Sequence, residues 1–296
     1  MTGRNWFELL LLGAVWGAGF LFSRIALGTI HPITLVFIRV ALAGMVLALY
    51  LFVSGRPVLP GRRIVAQLAV LALLNNIIPF TLIFTGQTAL GAGVASVVNA
   101  TTPFWTAIAA SLLTTDEKLT VNKLAGIGLG ILGAALVIGP SALAGTGGPA
   151  WAKVAILGGT LSYAFAAIYA RRFRTLGAPV IATGQLIAST VMMAPVMLLF
   201  GHPETLAIVT LPVWAAVAAL AIFSTAFAYI LYFRLIGSAG ATNASLVTLV
   251  IPAFALVLGA IFLGETMDAY EFGGLALIAF GLITIDGRLL ARRYRT

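Results

Sequence analysis

The sequence predicts an all-α integral membrane protein: ten transmembrane helices arranged as two inverted five-helix repeats around a central cavity. Three observations lead there. The 296-residue chain is 61% hydrophobic and only 8% charged, whereas soluble domains carry about 25% charged residues. Ten apolar runs are long enough to cross a hydrocarbon core of about 30 Å. One stretch also occurs twice: Gly91, Ser96 and Pro103 recur as Gly240, Ser245 and Pro252, all at an offset of 149. A repeat of that period governs the architecture and has to be read before local features.

The predicted spans cover residues 6–27, 32–53, 64–85, 91–113, 121–139, 151–171, 179–200, 211–233, 241–263 and 269–285. The first follows Arg4 and is too long for a signal-peptide core. The second and seventh open on Pro32 and Pro179, an offset of 147, and proline suits the first turn of a helix. The third is polar at its middle, with Asn75 and Asn76 ahead of Pro79. The fourth and ninth carry Pro103 and Pro252 midway, which predicts kinked helices. Membrane helices tolerate this because neighbours and hydroxyl side chains re-satisfy the freed carbonyls. The fifth holds Gly126, Gly128, Gly130 and Gly133, a small-residue face for close helix packing and not a phosphate loop. The sixth repeats the first, with Trp16 falling on Tyr163 and Arg24 on Arg171 at the offset of 147. The tenth repeats the fifth, with Gly126 on Gly274 and Gly133 on Gly281 at 148.

The chain therefore divides into a first repeat (1–139), a linker rich in Gly, Ala and Pro (140–150), a second repeat (151–288) and a basic tail (289–296). Five spans per copy is an odd number, so the second copy must enter the membrane the other way up. The charge pattern points the same way. Fourteen of the 17 Lys and Arg residues fall on the N-terminal side of the spans, Lys153 stands alone opposite, and Arg24 and Arg39 lie near or within spans. Positive-inside places both termini in the cytoplasm. The net charge of +9 could suggest nucleic acid, but the basic residues sit in short clusters between apolar runs and serve topology.

The absence of cysteine removes disulfides, thiolate metal sites and thiol nucleophiles. No His, Asp or Glu cluster has metal-ligand spacing, so no metal or cofactor is expected. No set of residues converges on a catalytic role, so an enzyme is not expected. The carboxylates Glu8, Asp116, Glu117, Glu204, Glu265, Asp268, Glu271 and Asp286 all fall at span ends or in loops. Proton and sodium pumps need an acid along the ion path, which disfavours a carboxylate relay. Glu8 comes nearest to one, but reads rather as an acid at a helix N-terminus stabilised by the dipole. Arg39 lies well inside the second span, where a charge costs at least about 2.5 kcal/mol. It either snorkels to the outer interface or anchors a substrate carboxylate.

Uncharged polar and aromatic residues concentrate on spans 1, 3, 4, 6, 8 and 9, while 2, 5, 7 and 10 are plainer. Under the repeat these are three equivalent pairs. They either line a polar cavity or bond helix to helix. The cavity reading makes Trp16, Asn75, Asn76, Phe80, Phe84, Gln87, Asn99, Trp105, Tyr163, Tyr229 and Asn243 the candidate binding residues. Aromatic faces would hold an apolar side chain, and amides would hydrogen-bond the polar end of a substrate. Gly13, Gly17, Gly19, Gly91, Gly93, Pro103 and Pro252 are the candidate flex points for gating.

These residues are familiar as a set. Trp16-Gly17, Ala228-Tyr229-Ile230-Leu231-Tyr232-Phe233, Ala244-Ser245-Leu246 through Pro252, and Leu263-Gly264-Glu265 followed by Gly273-Gly274 resemble the drug/metabolite transporter superfamily, EamA type, along nearly the whole chain. Val94-Ala95-Ser96, Pro103, Glu117 and Gly126 are weaker equivalents in the first copy. The chain departs from the plainest pattern where Lys118 follows Asp116-Glu117 and where glycine is missing before Glu117. Within the superfamily the resemblance runs to bacterial exporters of aromatic amino acids. It implies ten helices around a basket-like cavity, and export of amino acids and related small metabolites across a bacterial inner membrane. With both repeats in one chain, a monomer suffices. The alternatives are an exporter of cationic drugs, which needs a mid-membrane acid, and a channel.

Overall fold

The computed structural model describes residues 1–58, 61–90, 92–114, 120–138, 149–263 and 269–286. Gly91, the segment with Asp116 and Glu117, the segment with Glu265 and Asp268, most of the expected linker and the basic tail lie outside the described residues.

Among the described residues there is no strand, and the helices follow one another as α1 (Gly3–Leu27), α2 (Pro32–Val53), α3 (Arg62–Ala89), α4 (Ala92–Asn99), α5 (Thr102–Leu113), α6 (Val121–Ile138), α7 (Ala150–Ala170), α8 (Ala178–Phe200), α9 (Leu211–Ala239), α10 (Ala241–Ser245), α11 (Val247–Leu263) and α12 (Ala269–Asp286). Local chemistry sets several of the ends. Thr2 caps α1 by accepting the Asn5 N–H. Prolines occupy the first turn of α2, α5, α8 and α9. Gly240 separates α9 from α10 at φ 85°, a conformation open to glycine because it lacks a Cβ.

Seven helical segments among the described residues are long and apolar enough to cross a membrane: α1, α2, α3, α7, α8, α9 and residues 241–258. The sequence predicted ten spans. Of the other three, the fourth is not one kinked helix but two, α4 and α5, parted at Ala100 and Thr101 just ahead of Pro103. Proline lacks the N–H that would continue the ladder, and the hydroxyls of Thr101 and Thr102 bond back to Val98 O and Asn99 O instead. The fifth and tenth carry shorter apolar stretches, Val121–Gly133 and Phe272–Gly281. The ninth breaks at Leu246, and Pro252 then lies inside α11.

Two helices contain a π-helical turn that the sequence reading did not predict: Leu73–Ile77 in α3 and Ile222–Phe227 in α9. In α3 the cause is visible. A π turn needs a donor five residues on, but for Leu74 that residue is Pro79. Ser162 of α7 supplies the missing donor to Leu74 O at 2.7 Å.

The helices pack mainly as α6 on α12, α2 on α8, α1 on α11 and α9, and α7 on α3 and α5. Small residues permit the approach. A Cβ on Gly133 would lie 2.6 Å from Gly274 O, and one on Gly281 would lie 2.7 Å from Gly126 O. Large apolar side chains such as Phe52, Leu198 and Phe262 face outward, as lipid-facing residues should.

Candidate functional site

Each π turn is held by a helix of the other half. From α8, Gln185 Oε1 accepts from Asn75 Nδ2 at 3.1 Å and Ser189 Oγ accepts from Asn76 Nδ2 at 2.7 Å. From α2, Arg39 Nε donates to Thr225 Oγ1 at 2.7 Å and Nη2 donates to Ser224 O at 3.2 Å. Trp16 Nε1 donates to the same Ser224 O at 3.1 Å. The Tyr229 hydroxyl donates to Asn76 Oδ1 and lies 3.1 Å from Asn75 O. This is how amides are satisfied at membrane depth, where water cannot reach.

A cavity lies beside the α3 turn, with Asn75 on its wall. Its volume is about 70 Å³, room for a few waters or one small solute. Eight of the eleven candidate binding residues line it: Trp16, Asn75, Phe80, Phe84, Gln87, Asn99, Tyr163 and Tyr229. Phe80 and Phe84 stack at 6.1 Å, and Tyr163 meets Phe80 edge-on at 6.4 Å. Two buried amide atoms on the wall have no hydrogen-bond partner, Gln87 Nε2 and Asn99 Oδ1; Gln87 Oε1 is already engaged by Ser23 Oγ at 3.1 Å.

Three candidates stand elsewhere. Asn76 is fully buried behind the wall, spent on Ser189 and Tyr229. Trp105 is half-buried and packs edge-on to Phe104 at 5.3 Å. Asn243 donates to Ala239 O and belongs to a second, basic cavity with Lys123, Arg171 and Arg174. Each lies within a few residues of a π turn or helix break, and span length and hydropathy carry no signal for such breaks.

The wall also includes residues outside the candidate set: Ser23, Thr102, Tyr232, Ser245, Thr248 and Arg39. Arg39 is 7% exposed, so it does not snorkel to the outer interface. Its guanidinium carbon sits 3.8 Å from the Phe80 ring centroid and 5.5 Å from that of Phe84, a cation–π seat. Gln185 and Ser189 show that the seventh span is not plain after all, since both are fully buried.

Among the flex candidates, Gly17 and Gly19 are contact points. A Cβ on Gly17 would lie 2.7 Å from Phe254 Cβ, and one on Gly19 would lie 3.1 Å from Ser224 Cβ. Gly13 is similarly close to Val250, whereas Gly93 has nothing within 4 Å.

Glu8 lies at one end of the molecule, bridging Arg234 at 2.7 Å and Arg4 at 3.1 Å. His31 and His202 meet edge-on at 4.7 Å in another end cluster, and Glu204 Oε1 is 2.7 Å from His202 Nδ1. No group of three or more metal-ligating side chains occurs among the described residues.

A family model described as the EamA-like transporter family matches residues 6–139 and, a second time, residues 150–285. The chain belongs to the EamA-like transporter family. Members are transporters, and this EamA-like transporter is similar along nearly its whole length to proteins named as such. The uncharacterized inner membrane transporter YedA of Escherichia coli (strain K12) is 26% identical, covering 94% of this chain and 89% of YedA. The uncharacterized transporter YyaM of Bacillus subtilis (strain 168) is 24% identical, covering 97% and 96%. An uncharacterized transporter of Archaeoglobus fulgidus is 22% identical, covering 95% and 98%. A crystal structure of 19% identity aligns over 100% of both chains with a TM-score of 0.77, a likeness of fold. The EamA-like transporter's central cavity is thus built from both of the regions that the family model matches.

Proposed function

We propose that this protein is a secondary transporter that exports amino acids, aromatic ones included, and related small metabolites from the bacterial cytoplasm by alternating access. The observation that carries the reading is the central cavity. It is small, aromatic, amide-lined and bounded by helices of both halves.

The proposed architecture is ten spans in two inverted repeats, with both termini cytoplasmic. Four relationships support it. The family model matches twice in tandem. The π turns recur at the repeat offset, Asn75 and Asn76 corresponding to Ser224 and Thr225. The close contacts of Gly133 with Gly274 and of Gly281 with Gly126 exchange when the halves are swapped, as a two-fold axis requires. The packing of α3 on α7 mirrors that of α9 on α1 in the same way. Rocking of such halves about a fixed site is the usual motion of inverted-repeat transporters. Gly93, which has nothing within 4 Å of an added Cβ, Pro103 and Pro252 are the proposed flex points.

A cavity with aromatic walls and few fixed polar groups discriminates weakly among side chains, since a methylene is worth about 1–3 kcal/mol. The proposed specificity is therefore broad. The test is uptake and counterflow of a labelled amino-acid panel in proteoliposomes, with and without a pH gradient. Saturable, mutually competing flux is expected. No flux of any amino acid, or unitary currents in a planar bilayer, would overturn the reading.

A further inference from the structure

The cavity wall contains one formal charge, and among the described residues nothing neutralises it. Arg39 is buried within α2 and forms no ion pair there. A buried cation is ordinarily paired. Holding the facing π turn does not require a cation. The equivalent turn in α3 is held by Gln185 and Ser189, both neutral, from the equivalent helix. Arg39 also uses only part of its fork for that purpose. Nε and Nη2 donate to Thr225 and Ser224, and a guanidinium has five N–H groups. The remaining edge belongs to a residue that lines the cavity.

We propose that Arg39 binds the carboxylate of the transported solute, so that solutes are selected by a carboxylate and not by an ammonium group. The proposal rests on the transport reading above and narrows its substrate class. A carboxylate accepts two parallel N–H bonds from a guanidinium and cancels its charge. The rest of the wall treats the two ends of an amino acid unequally. No carboxylate among the described residues lines the cavity, so an ammonium group meets only neutral acceptors such as Asn99 Oδ1, and aromatic faces. Gln87 Nε2, buried and without a partner, is a second donor suited to the same anion. The amino group is therefore dispensable. A cationic amine that lacks a carboxylate is repelled by Arg39.

The test compares phenylalanine with three analogues as competitors of labelled phenylalanine in wild-type proteoliposomes. Phenylpropionate keeps the carboxylate and lacks the amine. Phenylalaninamide and phenethylamine lack the carboxylate. Phenylpropionate is expected to compete within about tenfold of phenylalanine, while the other two fail. Arg39→Gln should raise KM for phenylalanine at least about 30-fold, the range for removing one partner of a buried charge pair, and Arg39→Lys should recover part of it. A purely structural Arg39 would lower the amount of folded protein or the maximal rate without changing this preference. Equal competition by phenethylamine, or failure of phenylpropionate, overturns the proposal. If wild type carries no amino acid at all, the transport reading fails separately. Thermal stabilisation of the purified protein then decides on Arg39. A rise in melting temperature with phenylpropionate and none with phenethylamine supports it, and any other pattern refutes it.

Discussion

Gly133 rests against Gly274 so closely that a Cβ at Gly133 would lie 2.6 Å from the Gly274 carbonyl oxygen and 2.8 Å from the Ile278 nitrogen. Both neighbours are backbone, so neither can swing aside. Gly133→Ala should force α6 and α12 apart and lower the melting temperature of the detergent-solubilised protein. A loss of about 1–3 kcal/mol is the scale for overpacking. Gly93→Ala is the control, because nothing lies within 4 Å of that Cβ. In a helix, alanine in place of glycine is worth up to about 1 kcal/mol, so Gly93→Ala should be neutral or mildly stabilising. Unchanged stability with slowed flux in Gly93→Ala would mark that position as a hinge.

Tyr229 is fully enclosed, and its hydroxyl donates to Asn76 Oδ1 and lies 3.1 Å from Asn75 O. Tyr229→Phe keeps the ring stacking and removes only that donor. A buried acceptor left unsatisfied costs about 1–3 kcal/mol, so the melting temperature should fall. Phenylalanine already occupies the repeat-equivalent position, Phe80. Backbone disruption is therefore not expected, and circular dichroism should show unchanged helix content.

Glu8 is the acid nearest to a membrane helix interior, but it bridges Arg234 and Arg4, whose side chains are 40% and 73% exposed. Glu8→Gln frees two arginines that water can reach, so the loss should be about 1 kcal/mol or less. Flux should stay within about twofold of wild type in a proteoliposome assay. Abolished transport would instead assign Glu8 to proton or cation coupling.

The His31 and His202 cluster should make stability depend on pH. Partial burial and the neighbouring His202 hold the His31 pKa below its ordinary value, opposed by Glu204. A histidine with a depressed folded-state pKa is protonated more readily when unfolded. Its contribution is therefore present above about pH 6.5, the unfolded value, and is lost as pH falls from there through the folded-state pKa. Glu204, held low by hydrogen bonds from its own backbone and from His202, keeps its contribution until pH falls below the usual carboxylate range. Melting temperature should decline between pH 7 and 5, and His31→Gln should flatten the curve. An unchanged decline in that variant would place the titration elsewhere.

The topology can be checked without background, since the chain has no cysteine. Thr205→Cys should react with an impermeant maleimide in intact cells. Ser54→Cys should react only after permeabilisation. The reverse pattern would turn the protein over in the membrane.

The sequence by itself determined the membrane class, the duplication and the family. Those are carried by apolar run length and by glycine and proline recurring at offsets of 147 to 149. Such features survive without coordinates because bilayer thickness and backbone chemistry impose them on any chain. It also placed Trp16, Phe80, Gln87, Asn99, Tyr163 and Tyr229 in one group, since residues that are polar or aromatic on repeat-equivalent spans have one shared place to go. Only the tertiary structure decided how that group is arranged. The π turns at Leu73–Ile77 and Ile222–Phe227 insert a register change that no apolar count detects. They bury Asn76 behind the wall, and each is held by a helix from the other half. Arg39 was ambiguous for the same reason. Whether an arginine in an apolar helix reaches for water or turns inward depends on which helix faces it, and Phe80, Ser224 and Thr225 reach it only through the packing of α3 and α9 around α2.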